Sequence, residues 1–160
     1  MLQMKPKLYM ETSVVSYLTA RRTKDLLMAA RQLNTHLWWT EKRRRFDIRI
    51  SRFVWDEAAE SDLEQVEQRL KILKPLPWLQ VSGDSAQLAR TLIKNGPLPS
   101  QASLDAFHVA LAAVHGMHFL ATWNLKHINN PAIADDLRET CQNAGFHCPV
   151  ICTPEELLSV

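Results

Sequence analysis

The feature that most constrains this chain is a regular alternation of short apolar segments with longer segments of helical periodicity. Strands are predicted for five segments of five residues, PKLYM, DIRIS, WLQVS, HFLAT and PVICT, which begin at positions 6, 47, 78, 118 and 149. Helical patterns occupy the intervals, the longest over 23–45. Strands that alternate with helices favour a parallel sheet covered on both faces. We therefore predict an α/β fold, a three-layer sandwich in which helices flank a short central parallel sheet of four to five strands.

The length of the chain and its apolar segments limit the number of domains and the class of protein that the sequence can encode. A chain of 160 residues is long enough for one domain with its own core, which we predict to span 1–160. No apolar run approaches the roughly 20 residues that cross a bilayer, and the first residues lack the pattern of a signal peptide. The three cysteines follow no zinc-site spacing, which favours reduced thiols and a cytoplasmic protein.

Charge is distributed unevenly although the net charge is only +2. Residues 1–54 hold 12 Lys and Arg against 4 Asp and Glu, whereas residues 55–160 hold 7 against 13. The basic part contains Arg21-Arg22 and the run from Lys42 to Arg45. Such runs form either a solvated helix face or a surface that binds phosphates, and the sequence leaves both interpretations open.

Four polar residues are predicted to meet at one edge of the sheet. In parallel α/β folds the ligand site lies beyond the carboxyl ends of the strands. Glu11 follows the first strand, Asn124 follows the fourth, and Glu57 and Asp105 fall in early turns of helices that begin on that same edge. Asp105 enters an otherwise apolar helix, predicted over 101–115, where an unpaired carboxylate would be costly. A structural explanation also exists, because the helix dipole stabilises an acid in a first turn.

Taken together, these segments resemble the PIN-domain family, and within it the VapC-like toxins of type II toxin–antitoxin modules. LYMETSVVSYL resembles the family's hydrophobic strand followed by Asp-Thr-Ser. Ser51 and Glu57, in ISRFVWDE, match a serine followed six residues later by glutamate. DAFHVALA, from Asp105, matches Asp-Ala-x-His-x-Ala, and ATWN matches a strand that ends in Thr-x-Asp or Thr-x-Asn.

The resemblance implies an endoribonuclease that uses Mg²⁺ or Mn²⁺, the toxin of a toxin–antitoxin pair. It implies metal ligands at Glu11, Glu57, Asp105 and Asn124, and these oxygen donors suit hard divalent cations. Glu57 and Asp105 would orient or deprotonate the attacking water, and Thr122 would bond a ligand or position that water. Contacts with the RNA backbone are assigned to Arg21, Arg43, Arg44 and Arg45.

Two residues depart from the family's pattern. Glu11 stands where the family has aspartate, and Asn124 supplies an amide where a carboxylate is common. The pocket would then carry about three negative charges instead of four, and at close range one charge is worth on the order of 4 kcal/mol. We therefore expect one well-held metal ion and a weaker second.

Other interpretations stay open at this point. The main alternative is a degenerate PIN module that binds RNA or a protein partner without cleaving. A flavodoxin-like domain is disfavoured, because a chain with four glycines has no glycine-rich phosphate loop. The expected partners are RNA, a cognate antitoxin and a second copy of the chain, with HLWWT at 36–40 in the dimer interface. For His108 we favour core packing over a contact with the site.

Overall fold

A computed structural model of the chain describes residues 3–60 and 62–160, so positions 1, 2 and 61 of the predicted domain lie outside the described residues. Across this part of the chain, one five-stranded sheet has the order β3-β2-β1-β4-β5 and every neighbouring pair is parallel. The strands are β1 Lys7–Met10, β2 Asp47–Ser51, β3 Trp78–Leu79, β4 Phe119–Ala121 and β5 Val150–Cys152. The predicted α/β fold with a parallel sheet is confirmed.

The central strand, β1, positions the candidate site. Its residues Leu8, Tyr9 and Met10 are fully buried, because β2 pairs with one edge of the strand and β4 with the other. The chain moves outward from β1 in one direction to β3 and in the opposite direction to β5. The order of strands therefore reverses at β1, and in parallel sheets such a reversal opens a crevice at the carboxyl ends of the strands.

Helices form two groups that cover the sheet. Their bounds are α1 Thr12–Thr19, α2 Leu26–Lys42, α3 Arg52–Glu60, α4 Val66–Leu73, α5 Gly83–Lys94, α6 Ser103–Val114, α7 Ala134–Asn143 and α8 Pro154–Leu157. Short 3₁₀ turns occupy Arg43–Arg45 and Leu63–Gln65. Helix α1 contacts α2, α3 and α4, whereas α5 packs on α6 and α7, and the groups meet where α3 contacts α6. Among the described residues, no helix has the length and apolarity needed to cross a bilayer.

Two predicted helices are shorter in the structure than in the sequence pattern. Helix α2 begins three residues later than position 23, because the Asp25 side chain accepts a hydrogen bond from the Met28 N–H and caps the helix there. Its last predicted residues, Arg43–Arg45, form a 3₁₀ turn. Helix α6 begins at Ser103 instead of 101, since residues 100 and 101 form a turn.

The apolar side of α2 faces solvent. Leu26 and Leu33 are 87% and 60% exposed, and Leu27 is 62% exposed. By contrast, Trp38 near the end of the same helix is fully buried and packs near Phe46. The helical periodicity predicted the helix correctly, but the leucines that produced it do not contribute to the core. Part of the expected HLWWT interface is therefore internal, and the exposed apolar surface lies further toward the start of α2.

Candidate active site

Glu11 lies at the carboxyl end of β1 and is 5% exposed. Its Oε1 accepts hydrogen bonds from the Ser13 hydroxyl at 2.5 Å and the Thr122 hydroxyl at 2.6 Å. Thr122, just past β4, is fully buried and also accepts a hydrogen bond from the Asn124 N–H at 2.9 Å. The hydroxyl of Thr122 thus holds a predicted metal ligand, while its burial keeps it from solvent.

Glu57 reaches the same edge from α3. Its Oε1 accepts a hydrogen bond from the Thr12 hydroxyl at 3.0 Å and lies 2.6 Å from Nε2 of His108. Burial by itself would raise the pKa of Glu57, but the hydrogen bond and charge of His108, together with the Thr12 hydrogen bond, lower that pKa overall. Glu57 is therefore a carboxylate at neutral pH.

Glu11 and Glu57 line one open cavity of about 450 Å³. A third acid, Glu60, completes its carboxylate lining, and the hydroxyls of Thr12, Ser13 and Ser16 lie between them. A cavity of similar volume, about 460 Å³, lies between α5 and α7, but Asp84 is the one acid in its lining. The concentration of hard oxygen donors distinguishes the first cavity, because such donors suit Mg²⁺ and Mn²⁺.

Asp105 is held by a separate group of contacts in the first turn of α6. Its Oδ1 accepts a hydrogen bond from the Asn124 amide nitrogen at 3.0 Å, and its Oδ2 lies 3.0 Å from Nδ1 of His127. The amide oxygen of Asn124 accepts the His127 backbone N–H at 3.0 Å, which fixes the orientation of the amide. Asn124 consequently presents NH₂, not oxygen, to Asp105. In this arrangement Asn124 holds Asp105 in place, whereas the resemblance implied a metal ligand.

The two groups surround one buried histidine. His108 is fully buried, and the charges of Glu11, Glu57 and Asp105 all act on it. Burial would lower the pKa of His108, but the Glu57 hydrogen bond and these three carboxylates raise it above its ordinary value. Within residues 3–60 and 62–160, no three side chains of the His, Cys, Asp and Glu types come together as a metal-binding group. Each of the three acids is instead engaged with its own hydrogen-bond partners: Ser13 and Thr122 for Glu11, Thr12 and His108 for Glu57, and Asn124 and His127 for Asp105.

His108 is the residue that sequence reasoning assigned incompletely. Its predicted burial is correct, but Nε2 contacts Glu57 and Nδ1 lies 2.6 Å from the Tyr9 hydroxyl. The Tyr9 hydroxyl in turn lies 2.8 Å from Oγ of Ser51. All three residues stand in the quoted motifs, but Tyr9 resembles any apolar strand residue, so the sequence did not mark its hydroxyl.

Three further residues of the site were not assigned from the sequence. Ser13 belongs to the quoted ETS segment, so its position gave a usable signal. His127 follows Asn124 in the segment NLKHI, and Glu60 lies one helical turn after Glu57. Several acids compete in the segment around Glu57, and only the tertiary structure shows that Glu60 is on the cavity wall.

The structure does not bring the four predicted RNA-binding arginines to this cavity. Arg43, Arg44 and Arg45 form the turn that precedes β2, at the amino edge of the sheet, while the acids lie at the carboxyl edge. Arg21 lies in the loop after α1 and forms an exposed ion pair with Glu64. Any contact between Arg43, Arg44 or Arg45 and RNA would therefore lie away from the carboxylates.

A five-stranded parallel sheet of this order, flanked by helices and with acids beyond its central strands, defines a PIN-like α/β fold. The solved structures include a chain of this fold in the crystal structure of VapBC2 from Rickettsia felis bound to a DNA fragment from their promoter. The alignment covers 91% of this chain and 98% of that chain, with a TM-score of 0.51 and 18% sequence identity. At this identity the likeness is one of fold, and it confirms at that level the resemblance drawn from the motifs. The sequence matches no protein-family model and none of the curated proteins.

Proposed function

We propose that the protein is a metal-dependent endoribonuclease that hydrolyses phosphodiester bonds of RNA. The observation that carries this proposal is that Glu11 and Glu57 line one cavity at the carboxyl edge of the sheet, where His108 of α6 contacts Glu57 and Asp105 lies one turn earlier on the same helix. Carboxylates that collect at a strand reversal, beside an open cavity lined with hydroxyls, suit catalysis on a phosphate through a bound cation.

The donor set of the cavity fits Mg²⁺ or Mn²⁺. Glu11, Glu57 and Glu60 of the cavity wall would hold the cation, with Asp105 reaching it from the neighbouring group of contacts, whereas the present contacts of Asn124 favour a supporting role for its amide. When bound, such a cation lowers the pKa of a water molecule and stabilises negative charge on the phosphate under attack.

The side chains around the cavity have separate roles in the reaction. Glu57 is deprotonated and lies at the cavity wall, so its carboxylate is placed to accept a proton from the attacking water. The water oxygen forms a bond to phosphorus, the bond from phosphorus to the leaving ribose oxygen breaks, and that oxygen takes up a proton from solvent. Thr122 and Ser13 hold Glu11, while Asn124 and His127 hold Asp105. This support limits the movement of the carboxylates during the reaction.

We further infer that the protein acts in the cytoplasm as the toxin of a toxin–antitoxin pair and that it forms a homodimer. The fold shared with VapBC2 and the resemblance to VapC-like toxins support the antitoxin partner. The exposed leucines of α2 support association with protein, because a helix of a monomer normally turns its apolar side to the core.

One observation favours the second candidate, a PIN module that binds RNA or a partner without cleaving it. The Asn124 amide oxygen already accepts the His127 backbone N–H and its NH₂ faces Asp105, so the fourth position of the pocket offers a cation one remaining lone pair of a neutral oxygen in place of a carboxylate. Fewer ligands weaken metal binding, and a site that holds its metal poorly would bind RNA without turnover.

Cleavage of a pool of structured RNAs in Mg²⁺ or Mn²⁺ tests the proposal. Asp105→Asn should abolish cutting, whereas Asp136→Asn should leave it unchanged. Asp136 is the control, since it is an acid in the first turn of α7 as Asp105 is in the first turn of α6, but it is exposed and lies outside the site. Inert protein that still binds Mn²⁺ or RNA would favour the binding module, and equal cutting by all three proteins would indicate a different site.

A further inference from the structure

A continuous chain of hydrogen bonds runs from the core of the sheet to the cavity. It links Ser51 at the end of β2 to Tyr9 of β1, Tyr9 to His108 of α6, and His108 to Glu57 of α3, with separations of 2.8, 2.6 and 2.6 Å. Ser51, Tyr9 and His108 are each fully buried. Buried polar groups are costly unless they are paired, so a chain of this kind needs every member in place.

The chemistry of the groups gives the chain a direction. The Glu57 carboxylate can only accept, so Nε2 of His108 carries a proton and donates it. When the imidazole is neutral, Nδ1 has no proton and accepts a hydrogen bond from the Tyr9 hydroxyl, whose oxygen accepts one from Ser51. Burial raises the pKa of Tyr9, which keeps that hydroxyl a donor. When the imidazole is charged, Nδ1 donates to Tyr9 instead, and the bond from Nε2 to Glu57 is the same.

Tyr9 thus selects the tautomer of His108 that Glu57 requires. Without the Tyr9 hydroxyl, the proton of a neutral imidazole can move to Nδ1, and the Nε2 lone pair would then face the carboxylate. The Glu57 side chain is 31% exposed, so a carboxylate repelled in this way can turn toward water. We propose that His108, fixed by Tyr9 and Ser51, is a positioning residue that holds the Glu57 carboxylate on the cavity wall. This inference rests on the proposed function in assigning Glu57 to the metal and the attacking water.

Two amide substitutions at one position test the proposal. The amide nitrogen of His108→Gln reaches the position of Nε2 and can donate to Glu57, whereas the shorter His108→Asn reaches only toward Tyr9. Mn²⁺ titration of the full chain by calorimetry should show a dissociation constant raised about tenfold or more in His108→Asn and less than about threefold in His108→Gln, as for residues that orient metal ligands. Equal losses in the two variants, at equal stability, would overturn the proposal.

The control is a buried serine that takes no part in this series of hydrogen bonds. Ser85→Ala removes a fully buried hydroxyl of the α5 cap, and its Mn²⁺ affinity should equal that of the wild type. Tyr9→Phe should also weaken Mn²⁺ binding, although Tyr9 does not contact Glu57 and is linked to it only through His108. A loss as large in Ser85→Ala as in Tyr9→Phe would reduce the role of the chain to general stability and overturn the proposal.

A measurement without metal separates this inference from the proposed function. If the wild type binds no Mn²⁺, the nuclease proposal fails, but NMR still reports the tautomer of His108 and the carboxyl carbon of Glu57. The proton should lie on Nε2 in the wild type and redistribute in Tyr9→Phe, with a change in the Glu57 carboxyl shift. A Glu57 signal that is identical in both proteins would overturn the positioning role.

Discussion

At the scale of single residues, the pair of Glu57 and His108 links the site to pH. The pKa of Glu57 is lowered from 4.5, so its contribution to stability is present above that value and is lost as pH falls through the folded pKa. The pKa of His108 is raised from 6.5, so its contribution is present below that value and is lost as pH rises through the folded pKa. Between pH 4.5 and 6.5, therefore, Glu57 and His108 both make their full contribution to the unfolding free energy.

The first prediction follows from that window. His108→Gln keeps a donor to Glu57 but not a charge, so the stability difference between wild type and variant should be largest between pH 4.5 and 6.5. Above that range the difference should decline through the raised pKa of His108. Urea unfolding at a series of pH values measures this difference in unfolding free energy. A difference that grows above pH 7 would contradict the assigned pairing of Glu57 with His108.

A second prediction concerns the amide that stands beside Asp105. Asn124→Asp replaces the donor to Asp105 Oδ1 with a like charge, so the metal-free variant should lose about 1.5 kcal/mol or more of unfolding free energy. Millimolar Mn²⁺ should then raise the thermal midpoint of the variant more than that of the wild type, because one further carboxylate is available to the cation. Equal shifts in both proteins would mean that Asn124 does not limit metal binding.

At the scale of elements, the turn from α6 to β4 depends on Gly116. Its φ is +68°, and the chain closes the helix there by hydrogen bonds from the Gly116 and Met117 N–H groups to Ala113 and Ala112. Gly116→Ala should lower the unfolding free energy by about 1–2 kcal/mol, since a side chain is unfavourable in the left-handed region. The matched control is Gly83→Ala at the start of α5, where the added Cβ meets no atom within 4 Å and stability should not fall. Urea unfolding compares the two glycine variants. Equal losses of unfolding free energy would contradict the explanation by the positive φ of Gly116.

The exposed side of α2 yields a prediction about association. Leu33→Lys replaces an exposed leucine, so the unfolding free energy should change by less than about 0.5 kcal/mol. Sedimentation velocity should nevertheless show weaker self-association than in the wild type, because the apolar surface of α2 is interrupted. If the wild-type protein sediments as a monomer even at high protein concentration, the predicted homodimer is contradicted.

At the scale of the whole molecule, the basic and acidic edges of the sheet are separate. The five residues of β2 span roughly 15 Å between Arg43–Arg45 and the carboxyl edge, which exceeds the Debye length of about 8 Å at physiological salt. Substituting Arg43, Arg44 and Arg45 by Gln should therefore leave cleavage of a short oligonucleotide within about twofold of wild type. Binding of a longer RNA should weaken, with a salt dependence reduced by about 2 in slope. Filter binding at several salt concentrations checks this, and loss of short-substrate cleavage would contradict the separation.

The pattern of the sequence predicted the architecture and the edge of the sheet at which Glu11 and Glu57 lie. Periods of two and 3.6 residues mark the strands and helices, and parallel strands bring the residues that follow them to one edge. Glu11 and Glu57 consequently share a cavity wall, as their positions predicted. The charge run at Arg43–Arg45 was equally visible, but a run of charges does not state which edge of the sheet it will occupy.

The hydrogen-bond partners of the polar groups could be read from the fold alone and not from the sequence. Tyr9 looks like a core residue in its own strand, yet its hydroxyl is within bonding distance of residues 42 and 99 positions away. The orientation of Asn124 depends on a backbone N–H of the following turn, and the exposure of the α2 leucines depends on what α1 and α8 leave uncovered. Periodicity reports the face of an element on which a residue lies. Hydrogen-bond partners and burial depend on distances between elements, which local sequence does not encode.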